Sequence, residues 1–223
     1  MGKQRRSVAK TGTIPQAGEI WVPVCPRGHF MGIHLVDIAV ARDLMPEGLA
    51  PIAVLPGKTL GGVLLGYYGP GSTLEYHELA VMTGLARRGR KWGLWVSDLY
   101  VDSEASVIGG SRLGLDKQLA AFDWPGGMPP FHATVIRDAP ILTVDTGPGI
   151  PLLPFSLGGG SFSKLDNHPL WFFSRFYARW RLCRARYTVP TGSPLAPLGL
   201  KRSLIAVAAR EAKGFMVEKI TRF

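Results

Sequence analysis

Apolar and polar positions along this chain form short runs, and glycine and proline separate one run from the next. With 28 glycines and 18 prolines in 223 residues, this punctuation predicts a β-rich fold. Glu19 to Val24 alternates as a half-buried strand does. Gly62 to Tyr68, Tyr76 to Ala86 and Lys91 to Val101 read as longer strands, with a basic turn between the last two. Ala53 to Leu55, His132 to Arg137 and Ile141 to Val144 read as short strands. Val36 to Met45 has helical spacing and stops before Pro46, whose ring cannot continue a helix. Leu204 to Lys213 reads as a second short helix that Gly214 ends. Gly147 to Gly160 and Pro190 to Pro197 read as loops. Gly158-Gly159-Gly160-Ser161 is not followed by Lys-Ser/Thr, so it is no phosphate cradle.

Phe176 to Leu182 carries two periods. Phe172, Phe176 and Trp180 would share a helix face. With a period of two, however, Phe176, Ala178, Trp180 and Leu182 separate completely from Arg175, Tyr177, Arg179 and Arg181. The second pattern predicts a strand with one wet, basic face.

Composition narrows the class. Apolar residues make up 46% and charged residues 19%, which is a globular balance. No apolar run reaches the roughly 18 residues of a membrane-spanning helix. The basic N-terminus has no hydrophobic stretch behind it, so residues 1–17 read as a flexible arm ahead of a single domain over 18–223. Two cysteines, Cys25 and Cys183, are too few for a disulfide framework, and the histidines are scattered. A reduced, cytoplasmic protein without a structural metal is the simplest reading. The net charge of +10 comes from the N-terminus, from Arg87 to Lys91, and from the arginines between 175 and 186. No nucleic-acid-binding motif accompanies them, so a non-specific preference for anions is expected rather than a dedicated nucleic-acid function.

The chemistry-bearing residue is Lys117. It lies in Gly109-Gly110-Ser111-Arg112-Leu113-Gly114-Leu115-Asp116-Lys117-Gln118, in apolar surroundings. Burial disfavours an ammonium ion, and a neutral amine can attack a ketone to form a Schiff base. A strand-end lysine that snorkels to water would show the same local sequence. Adjacent strand residues point to opposite faces, so Asp116 is expected to turn away from the site of Lys117.

This region resembles the acetoacetate decarboxylase family. Tyr100-Val101-Asp102-Ser103-Glu104, then Gly109, then Leu115-Asp116-Lys117-Gln118 is similar to that family's central signature, with ungapped spacing from the glycine to the lysine. Tyr76-His77-Glu78 looks like its Tyr-x-Glu, and Arg27 falls where its active-site arginine precedes Pro-Glu-x-Leu, here Pro46-Glu47-Gly48-Leu49. The likeness runs from about residue 20 to about residue 125. The departures are Gln118 for a second lysine, Gly110 and Ser111 for Arg-Glu, Asp116 for proline, and Val63 for a second glutamate.

The resemblance implies a β-barrel or cone with a few short helices, association into a homo-oligomer, and a cofactor-free lyase acting on a keto acid. It implies that Glu104 to Leu113 is a short helix capped by Asp102 or Ser103. Lys117 would form the Schiff base and Glu78 would serve as acid/base. Arg27 would clamp the substrate carboxylate, beside Gln118, Val63 and Leu115. Leu113, Leu115 and Val63 would desolvate the amine; in acetoacetate decarboxylase, a standard example, a cationic neighbour activates the lysine by charge repulsion instead, and Gln118 cannot supply that charge here. Tyr68, Tyr76, Trp92 and His29 read as pocket wall or core. Arg27 and Glu78 as a buried mutual ion pair is the alternative for those two residues. Decarboxylation of a β-keto acid is the simplest reaction. Aldol, dehydration or cyclisation chemistry on the same lysine, or a non-catalytic barrel that binds a small molecule, are the alternatives.

Overall fold

The computed structural model describes residues 7–223. Its first half holds β1 (Val24–Cys25), β2 (His29–Asp37), α1 (Ile38–Asp43), β3 (Ala50–Pro51), β4 (Lys58–Tyr68), β5 (Tyr76–Arg88), β6 (Lys91–Val101) and α2 (Glu104–Ser111). There follow β7 (Lys117–Leu119), β8 (Ala121–Asp123), β9 (His132–Ile136), β10 (Pro140–Thr146), β11 (Ile150–Pro151) and β12 (Phe155–Leu165). The chain ends with β13 (His168–Ala178), β14 (Arg181–Cys183), β15 (Ala185–Thr188), β16 (Ile205–Ala209) and β17 (Ala212–Arg222).

Thirteen strands form one sheet in the order β1-β17-β13-β12-β6-β5-β4-β2-β16-β14-β11, with β3 on β5 and β7 on β6. Strands β15-β10-β9-β8 form a second, smaller sheet. The fold is β-rich with two short α-helices, as the sequence predicts, although strand pairing among the described residues does not close the long sheet into a barrel. No helix of the described residues is long and apolar enough to cross a membrane.

Alternation along the long hairpins sorts side chains onto two faces. Val63, Leu65, Leu79, Val81 and Tyr100 pack against Val135, Leu142 and Val144 of the small sheet. The opposite face gathers Trp21, Tyr68, Tyr76, Leu113, Phe172, Phe176 and Trp180 into a second core. Such burial is the main stabilising term, about 25 cal/mol for each Å² of apolar surface removed from water. The site lies in this second core.

Several expectations need correction. Residues 7–17 are docked rather than free: Ala9 N–H donates to Ile20 O at 2.9 Å, Gly12 N–H donates to Thr73 O at 2.9 Å, and Arg112 Nη1 donates to Pro15 O at 2.7 Å. Residues 1–6 of the predicted arm lie outside the described residues. Ala53 to Leu55 is not a strand; the pairing in that region falls on β3 instead. The predicted loop over 147–160 contains the start of β12, because its glycines allow backbones to approach. A Cβ on Gly160 would sit 2.5 Å from Trp92 O. The predicted helix over 204–213 is instead β16 and the start of β17. There, pairing of Ile205 to Ala209 with β2 overrides the helical propensity of an alanine-rich stretch. Gly214 is a close backbone approach to Arg175, not a helix stop. Trp92 is 63% exposed and belongs to neither wall nor core.

Candidate active site

Three elements deliver the central side chains to one place. β7 runs parallel to β6, with Lys117 opposite Leu99. β5 flanks β6 on its other side, with Glu78 opposite Val101 and Ala80 opposite Leu99. Lys117 and Glu78 therefore project from the same face, one strand apart. Between β6 and β7 the chain turns through α2. Ser103 caps that helix by accepting from the Ser106 N–H at 3.4 Å, which sets Ser106 in the first turn. Gly110, one turn later, leaves room for the lysine: a Cβ there would lie 2.8 Å from Lys117 Cδ and Cε.

The amine is enclosed. The Lys117 side chain is 2% exposed and that of Glu78 is 8% exposed. Lys117 Nζ donates to Glu78 Oε2 at 2.7 Å, to Ser106 Oγ at 3.0 Å and to Tyr76 OH at 3.4 Å. Tyr68 OH donates to the other carboxylate oxygen, Oε1, at 3.0 Å. Burial first, and the Glu78 charge second, push both phenols well above their ordinary range, so each keeps its proton. Burial and the same carboxylate push the Cys25 thiol up. Lys117 Nζ also lies 4.8 Å from the centre of the Tyr76 ring and 5.3 Å from that of Trp21, where the negative ring faces favour a cation.

Beside the amine is a cavity of about 100 Å³, bounded by Leu64, Met82, Leu115, Phe172, Phe176 and Met216 among others. That is less than the roughly 150 Å³ of an engineered apolar cavity that takes up benzene. Among the described residues, Lys117 is the cavity's one cation and Glu78 its one carboxylate. Among the described residues no group of three His, Cys, Asp or Glu side chains is placed to hold a metal ion.

The residues singled out from the sequence divide sharply. Lys117, Glu78, Leu113 and Leu115 meet in the cavity. Asp116, the residue just before β7, is exposed and turned away from the cavity. Val63 does not reach the cavity; it belongs to the core under the small sheet, and its neighbour Leu64 takes the wall position. A register difference of one residue exchanges faces completely. Gln118 turns away by the same alternation, and its amide oxygen accepts from Arg137 Nη1. Arg27 is exposed, 5.8 Å from the centre of the Tyr67 ring, and forms neither a substrate clamp in this cavity nor a pair with Glu78. It sits in the turn between β1 and β2, where Gly126 packs against its backbone and Cβ. Tyr68 and Tyr76, read as wall, are hydrogen-bonded members of the Glu78–Lys117 network. Ser106 was missed. Its signal was the helix cap at Ser103, which fixes the residue three positions on.

The acetoacetate decarboxylase family model matches residues 13–155. No curated protein matches the chain. Among solved structures, acetoacetate decarboxylase from Legionella pneumophila superposes with a TM-score of 0.65 at 12% identity, covering 100% of this chain and 91% of its own. The enduracididine biosynthesis enzyme MppR, complexed with pyruvate, gives 0.63 at 13% identity, covering 97% of this chain and 98% of its own. An acetoacetate decarboxylase-like enzyme from Sphingomonas wittichii RW1 gives 0.58 at 16% identity, covering 97% of this chain and 100% of its own. With the match spanning more than half its length, this chain belongs to the acetoacetate decarboxylase family.

Proposed function

We propose that the protein is a Schiff-base-forming lyase that decarboxylates a small β-keto acid at Lys117. The observation that carries the reading is the buried amine, 2.7 Å from a single carboxylate at the edge of an apolar cavity. Glu78 takes one proton from Nζ and frees its lone pair. Nζ then attacks the ketone carbon, and Glu78 gives that proton to the departing hydroxyl, so that water leaves and an iminium remains. The bond to the substrate carboxylate breaks, its electron pair moves into the iminium, and carbon dioxide leaves. A solvent proton, passed through Glu78, then adds to the carbon of the resulting enamine. Water finally hydrolyses the iminium and releases the ketone and the lysine amine. Ser106 and Tyr76 hold Nζ on the line of attack, and Tyr68 orients the Glu78 carboxyl group.

Among the described residues no arginine lines the cavity to hold the departing carboxylate, so that charge sits poorly solvated until it leaves as neutral carbon dioxide. The same lack of a clamp supports a second reading, in which a neutral aldehyde or ketone is used and Lys117 runs an aldol or dehydration step. A solved relative of the same fold holds pyruvate, a carbonyl compound that such chemistry uses. Carbon dioxide release from a β-keto acid series separates the two readings, combined with ¹⁸O exchange into the ketone product. Release with Lys117-dependent exchange supports decarboxylation. Exchange without release supports the second reading, and the absence of both release and exchange would contradict both readings.

A further inference from the structure

The strand that walls the cavity has a second face. Phe172, Ser174 and Phe176 of β13 line the cavity, whereas Phe173, Arg175 and Tyr177 point the other way. The small sheet covers that outer side over β2, β4 and β5, through Phe30, Val63, Leu65, Leu79 and Val81. It does not extend over β13 and β17. There the register sets Phe173 opposite Lys219, Arg175 opposite Phe215, and Tyr177 opposite Lys213. Each row holds one aromatic ring and one cation. In the first row the ring and the cation touch, with Lys219 Nζ 5.4 Å from the Phe173 ring centre. In the second, the Arg175 guanidinium carbon is 5.5 Å from the Phe215 ring centre. On the other flank β12 presents glycines: Gly160 lies opposite Phe173 and Gly158 opposite Arg175. A Cβ on Gly158 would be 3.0 Å from the Phe173 ring, so the ring lies over bare backbone. Tyr177 is 47% exposed and Phe215 38% exposed.

Beyond Tyr177 the face continues into an open cavity of about 650 Å³ edged by Arg179, Arg210 and Lys213. The carboxylates here are Glu211 and Glu218, and Glu218 is already paired with Arg175 at 3.1 Å. Arg175 and Arg179 stand far from Arg210, Lys213 and Lys219 in the sequence; antiparallel pairing of β13 with β17 draws them together.

We propose that this outer face binds single-stranded nucleic acid. The rings alternate between the two strands, Phe173 and Tyr177 on β13 with Phe215 of β17 between them. Each has a cation opposite it, so bases can stack while phosphates are neutralised alongside. An open sheet face with exposed rings is the platform by which RNA-recognition modules stack bases, and cationic grooves with stacking rings bind single strands without reading sequence. The lysines argue against a second copy of the chain as occupant, because lysine is depleted from protein–protein interface cores.

The test is fluorescence anisotropy with labelled oligo(U) and oligo(dT) across a salt series, using the full chain. Binding is expected, weakening steeply with salt. Tyr177→Ala and Phe215→Ala are each expected to weaken it about tenfold. Lys213→Gln is expected to lower the logarithmic salt slope by about 0.7. Covalent trapping at Lys117 should be unchanged in all three variants, which establishes that they fold. Equal binding of heparin with no effect of Tyr177→Ala would reduce the surface to an anion preference and overturn the proposal. Binding to phosphatidylserine vesicles but not to oligonucleotides would overturn it. So would self-association in sedimentation that Tyr177→Ala abolishes, with no oligonucleotide bound.

Discussion

The two faces of β13 use charge in opposite ways. Inside, a single cation and a single carboxylate are shut into an apolar cavity and spend their hydrogen bonds on each other and on three hydroxyls. Outside, cations outnumber carboxylates and sit beside exposed rings. The lysine on the inner face is shut away from water and held by Glu78, Ser106 and Tyr76. A lysine on the outer face is solvated, so it offers long-range attraction and no covalent chemistry. Strand alternation alone separates the two environments, which are one residue apart in the chain.

The largest effect expected from disturbing this contrast is on Lys117. Lys117→Met should abolish turnover and leave Glu78 buried without its partner, a loss of about 3–5 kcal/mol. Chemical denaturation should show that loss, and Lys117→Met/Glu78→Leu should recover most of the stability and none of the activity. Glu78→Gln comes next. It keeps a polar group beside Nζ but removes the acid/base, so turnover should fall about 10²–10⁴-fold while the protein stays folded. A milder perturbation is Gly110→Ala, whose Cβ would press on the middle of the lysine side chain. It should slow adduct formation while leaving the fold intact, as read by single-turnover kinetics and circular dichroism.

The smallest effect is on stability against pH. Burial lowers His29 to about 3 and His34 to about 4, and neither His34 ring nitrogen has a partner. An unfolded chain protonates both near 6.5, whereas the folded chain does not until these lower values are reached. Stability is therefore fully present above about 6.5 and declines as pH falls towards 4. His34→Leu should flatten that decline in urea midpoints, whereas Tyr177→Ala on the outer face should leave it unchanged.

The long hairpins were legible because their periodicity is strong: β6 matches its predicted span, and β4 and β5 differ only at their ends. The meeting of Lys117 and Glu78 was legible through ordered motifs. Arg27, Val63 and Gln118 were misplaced for local geometric reasons, a turn in the first case and strand alternation in the other two. Glycine misled most. In β12 it marks close backbone approach in a sheet, and the same residue type in a chain of 28 glycines reads as a loop. The outer face was legible only in part, because two of its five cations, Lys213 and Lys219, come from β17, which pairing brings beside β13 from a distant part of the chain.

The most direct test of the central claim is sodium borohydride reduction in the presence of a panel of β-keto acids, read by intact mass and peptide mapping. The account predicts a reduced adduct on Lys117, lacking the mass of carbon dioxide and absent from Lys117→Met. No adduct with any keto acid, or an adduct on another lysine, would contradict it.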